Sequence, residues 1–162
     1  MTTTHRYSKE DLTTFKPKHD TFIGIDSDGC VFDTMEIKQK QCFHSVIISH
    51  WGLGPIAKYV RETAEFVNLY SKWRGQNRFL TLVKLFDLLR ERPEVVKSGV
   101  NIPHLPALRR LMDSGAALGN PSLSKAAEET GDEEFISLLA WSNAVNKTIA
   151  DTVKKVPPYK WC

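Results

Sequence analysis

The chain has 162 residues, 41% of them hydrophobic and 25% charged, with a formal net charge of +3. That is the composition of a globular chain long enough for one cored domain, and the charge is too small to point to nucleic acid. It has no apolar run near the roughly 20 residues that span a bilayer and no signal-type stretch in its first twenty residues, and Cys30, Cys42 and Cys162 show no metal-type spacing, so the expectation is a cytoplasmic chain with neither nucleic-acid nor membrane partners.

Met1 to Asp20 is polar and reads as an N-terminal arm. Thr21 to Asp26 (TFIGID) is a short apolar run bounded by turn residues, the pattern of a strand buried on both faces, and Ser27 to Asp33 follows as a tight loop around Gly29. From Thr34 onward the pattern is helical. Met35–Trp51 is ended by Gly52, Gly54 and Pro55, and Ile56–Trp73 follows. Arg78–Arg92 is apolar around much of its circumference, which predicts deep burial, and Pro93 stops it. A short helix spans Pro106–Asp113. Another starts from a Ser122 or Ser124 cap and ends near Thr130-Gly131. The last, about Asp132–Lys155, carries one apolar stripe through Phe135, Leu138, Leu139, Val145, Ile149 and Val153. The expected fold class is mainly α, with one short strand and roughly six helices. The domain reading is an arm (1–20), a strand and loop (21–33), a helical unit (34–156) and a return segment (157–162).

A lone buried-type strand cannot satisfy its own backbone groups. Two outcomes are open: the strand pairs with another chain, or the sequence is part of a larger α/β domain.

Asp26-Ser27-Asp28-Gly29-Cys30-Val31-Phe32-Asp33 combines three carboxylates and a glycine directly after the apolar run. Side chains two apart in extended backbone point the same way, so Asp26 and Asp28 can converge at the strand's end. One carboxylate can attack phosphorus while the other handles protons. Phosphate is itself anionic, so such a pair calls for a hard cation with oxygen ligands, Mg²⁺ being the natural choice. Gly29 permits a sharp turn beside the site. An EF-hand is excluded, because counting from Asp26 its obligatory glycine and twelfth-position acid would fall on Val31 and Ile37.

This DxDGxxxD segment resembles the first motif of the haloacid dehalogenase superfamily, and Asp33-Thr34 resembles the members whose helical cap is inserted soon after it. The resemblance covers some fifteen residues in motif; the helical remainder resembles a cap in class and position. It implies an α/β Rossmann-like core for the complete protein and a Mg²⁺-dependent phosphohydrolase working through an aspartyl-phosphate on a small phosphorylated metabolite. It also implies that Asp26 is the nucleophile and a Mg²⁺ ligand through its side chain. Asp28 would be the general acid/base and a ligand through its backbone carbonyl, and Asp33 would position the cap hinge. The family's later Ser or Thr, Lys and acidic pair lie on further strands that this sequence does not show. The chain is therefore expected to be the N-terminal part of such an enzyme, inactive alone, with its unpaired strand prone to self-association. The reading from a different class is a non-catalytic helical interaction or structural protein.

Arg74 and Arg78, in the polar cluster Lys72 to Arg78, are candidates for binding a phosphate or carboxylate, since guanidinium engages both in bidentate fashion. His44 and His50 lie six apart and do not share a helix face, and Cys42 and His44 diverge, so these residues do not read as a metal site. The tryptophans read as packing groups.

Overall fold

The computed structural model describes residues 8–26, 28–32 and 34–157. Among them the chain is helical, with nine α-helical segments: α1 (Lys9–Thr13), α2 (Met35–Ile37), α3 (His44–His50), α4 (Ala57–Glu65), α5 (Arg78–Glu91), α6 (Pro93–Ser98), α7 (Pro106–Asp113), α8 (Asn120–Thr130) and α9 (Glu133–Val153). A π-helical segment, Lys38–Phe43, joins α2 to α3 in one continuous rod, and a second, Phe66–Tyr70, extends α4. The mainly α class holds.

The expected strand does not form. Residues 21–26 adopt no regular structure, and the described residues contain no sheet, only an isolated bridge between Asp28 and Phe32. Phe22, Ile23 and Ile25 are 90%, 81% and 75% exposed. A strand is held by the hydrogen bonds of its neighbours, and none of the described residues supplies one. The α/β core likewise has no counterpart among them.

Other departures are local. The arm carries α1, started by a capping box in which Ser8 and Asp11 bond reciprocally. The helix expected to reach Trp73 ends at Tyr70, where Ser71 turns extended. Pro93 not only ends α5 but opens α6: Arg92 takes the extended conformation that a following proline favours, and Gly99, at φ +69°, closes the helix in the left-handed region. Neither Ser122 nor Ser124 caps α8, which begins from Gly119. Their hydroxyls go instead to the Ala117 carbonyl and the Glu128 carboxylate.

The core has α5 at its centre, with Phe79, Leu82, Leu85, Phe86 and Leu89 all buried. Helix α5 packs on α4, α6 and α7, while α9 lies along α3, the first π segment, α7 and α8. Trp141 of α9 is 1% exposed and meets Phe43, Trp51 and Phe79 at centroid distances of 6.3, 5.4 and 5.8 Å. One tertiary contact replaces a local cap. Leu105, with φ +53°, precedes α7 without a capping bond, and the backbone N–H of Leu108 donates to Glu134 Oε1 on α9 at 2.7 Å.

Candidate functional site

The aspartate loop is a tight turn. The Gly29 N–H donates to the Phe32 carbonyl at 2.8 Å. Gly29 sits at φ +76°, and a Cβ there would stand 3.0 Å from Met35 Cγ, so both backbone and space call for glycine. Immediately after the turn, the buried Thr34 donates its hydroxyl to Asp28 Oδ1 at 2.8 Å, and Lys38, one helical turn on, donates Nζ to Asp28 Oδ2. Thr34 and Lys38 share a face because they are four apart on the start of a helix. The Lys38 bond, then the Thr34 bond, hold the Asp28 carboxyl below the usual carboxylate range against a smaller opposing effect of burial. The Asp28 side chain is 42% exposed, so water has access to it.

Asp26 is exposed in the irregular segment before the turn. Asp33, expected at the cap hinge, and Ser27 lie outside the described residues. Among the described residues no three His, Cys, Asp or Glu gather as a metal-holding group. The donors that the motif offers to Mg²⁺ are the Asp26 carboxylate and the Asp28 carbonyl. Both are hard oxygens, and Mg²⁺ commonly binds through one or two carboxylates while keeping several waters. The donor chemistry fits the ion.

The second feature is a cavity of about 450 Å³, a size typical of small-molecule sites. Six carboxamides line it, Gln39, Asn68, Gln76, Asn77, Asn120 and Asn146, together with Arg78 and Phe43. Gln39 and Phe43 come from the first π segment and Asn68 from the second, and such segments often occur at functional sites. The structure separates the two candidate arginines. Arg78 is half-buried on the cavity wall, whereas Arg74 is exposed in the Ser71–Gln76 turn and does not line it.

Sequence reasoning missed Thr34 and Lys38, although their i,i+4 spacing after the loop was a usable signal. It also missed the carboxamides, which come from several separate elements and share no periodicity. The tryptophan reading holds for the buried Trp141. His44 is 1% exposed, its Nε2 has no hydrogen-bond partner among the described residues, and burial, aided by Arg61 and Lys40, pulls it down to about 4. Among the described residues no helix is long and apolar enough to cross a membrane. No family model, curated protein or solved structure matches this chain.

Proposed function

We propose that this chain is the nucleophile-bearing and helical-cap part of a haloacid-dehalogenase-like phosphohydrolase acting on a small phosphorylated metabolite. The observation that carries the reading is the turn that holds Asp28 beside Thr34 and Lys38. Asp28 is held ionised and oriented by Thr34 and Lys38, directly after an apolar segment whose side chains are in water. Phe22, Ile23 and Ile25 have the pattern of a buried strand and the exposure of one without neighbours, which fits a first strand whose sheet is completed by other residues.

In this reading Asp26 attacks phosphorus, its Oδ–P bond forming as the ester P–O bond breaks. The alkoxide leaves with a proton from Asp28. Water then attacks the aspartyl-phosphate, giving its proton to Asp28 and releasing inorganic phosphate. Bound Mg²⁺ would supply charge neutralisation at the phosphoryl oxygens. The Lys38 pairing favours the ionised Asp28 that accepts a proton, and it must loosen before Asp28 can donate one.

Beryllium fluoride adds to carboxylates as a phosphoryl mimic and provides the test by ¹⁹F NMR. A bound signal that requires Mg²⁺, disappears in Asp26→Asn and persists in Asp20→Asn is expected. A bound signal that is unchanged by Asp26→Asn, or that forms without Mg²⁺, refutes the assignment.

A further inference from the structure

The cavity beside Arg78 is lined, among the described residues, by none from the aspartate loop, and it holds an electrostatic imbalance. Arg78 is half-buried at the start of α5 and, among the described residues, forms no ion pair. Its three hydrogen bonds all run from Nη1: to the Ser142 carbonyl at 3.4 Å, the Ser142 hydroxyl at 3.2 Å and Asn146 Oδ1 at 2.7 Å. Its guanidinium also lies 5.4 Å from the Phe43 ring centroid. These partners are neutral, so they orient the cation without cancelling its charge. Taking a guanidinium out of water without a counterion is unfavourable, and the site gains from any anion that enters.

The rest of the wall says what kind of anion. Among the described residues no Asp or Glu lines the cavity. Carboxamides carry both donors and acceptors, which suits hydroxyl groups better than further charge. Asn77 and Asn120 already use their oxygen and one N–H within the chain, and Asn68 donates one N–H to the Ala64 carbonyl, which leaves the remaining amide positions for a ligand. Gln39 Oε1 is buried on this wall and has no partner among the described residues. An unpaired buried acceptor is costly, and a turn of the Gln39 side chain toward the cavity would let a ligand hydroxyl satisfy it. A single guanidinium matches the charge and planar geometry of one carboxylate, whereas a phosphomonoester dianion would ask for a second cation.

We infer that this cavity binds a small hydroxylated carboxylate, with Arg78 taking the carboxylate and Gln39 and its neighbouring carboxamides taking the hydroxyls. The inference rests on the cavity alone and does not require the phosphohydrolase reading.

The test is ¹H–¹⁵N NMR titration of the full chain with four probes, lactate, glycerate, glycolate and gluconate, against glucose and inorganic phosphate as controls. At least one hydroxy acid should give saturable shifts at the side-chain amides of Asn68, Asn120 and Gln39, while glucose and phosphate bind at least tenfold more weakly. Arg78→Lys, which keeps the charge but loses the planar fork, should weaken that binding about tenfold or more. Gln39→Leu removes an unpaired acceptor, so it should fold at least as stably as the wild type and still weaken binding, which separates recognition from folding. Arg74→Gln should bind as the wild type does. No saturable response from any of the four acids overturns the inference, as does equal binding of phosphate or glucose, or binding unaffected by Arg78→Lys and Gln39→Leu.

Discussion

His44 should make the stability of this protein fall in mild acid. The imidazole is 1% exposed on the first helical rod, and Arg61 and Lys40 add like charge to its surroundings. Folding therefore lowers its pKa from 6.5 to about 4. Above pH 6.5 both folded and unfolded chains carry the neutral ring, and His44 contributes no pH dependence. Between 6.5 and about 4 the unfolded chain binds a proton that the folded chain refuses, so stability is lost as the pH drops through this window. Below about 4 both states are protonated and the loss is complete. Each pH unit in the window is worth about 1.4 kcal/mol, which puts the total near 3 kcal/mol and the loss by pH 4.5 at about 2–3 kcal/mol. Leucine at position 44 is apolar, does not titrate and removes the unpaired Nε2. Urea unfolding followed by tryptophan fluorescence at pH 7.5, 6 and 4.5 compares the two proteins. The wild type should lose about 2–3 kcal/mol more than His44→Leu between the extremes. Equal losses in both would mean that His44 is protonated as readily in the folded chain as in the unfolded one.

Trp141→Ala should cost about 3–5 kcal/mol in urea unfolding, because it empties the space between Phe43, Trp51 and Phe79. Trp141→Phe should cost clearly less, since the indole N–H it removes has no partner among the described residues. Asp132→Ala removes the side-chain acceptor of the Glu134 N–H at the start of α9 and should lower stability by about 1 kcal/mol on the same assay. Gly131→Ala forces a Cβ into φ +66° after α8 and should cost about 1–2 kcal/mol. Replacing Phe22, Ile23 and Ile25 together with serine should leave the unfolding free energy within about 0.5 kcal/mol, because these side chains are already in water. The same triple variant should reduce concentration-dependent association in sedimentation velocity, and unchanged association would place the sticky surface elsewhere.

The helices were readable because their signals are local. The apolar periodicity of residues 78–92 and 132–155, the Pro106 start and the Gly131 stop are contained within a turn or two of chain, and α5, α7, α9 and the end of α8 appear where those signals put them. Helix α6 was also written locally, in Pro93 and Gly99, but a proline that ends one helix can begin the next. The strand failed for the complementary reason: its stability belongs to neighbours far away in sequence, so TFIGID can announce its preference but cannot realise it.

The same division runs through the candidate sites. The residue types and spacing of Asp26, Asp28 and Gly29 were set by the sequence, and so was the need for a turn at Gly29. That Thr34 and Lys38 close on the Asp28 carboxylate required the turn and the helix to meet. The cavity is wholly a tertiary product. Gln39, Asn68, Arg78, Asn120 and Asn146 are scattered over more than a hundred positions, and only the packing of α5, α8 and α9 against the two π segments gathers them. Sequence alone could nominate Arg74 and Arg78 equally. Packing decided between them, burying one beside a ring of amides and leaving the other in a solvated turn, because burial is a property of what surrounds a residue and not of the residue itself.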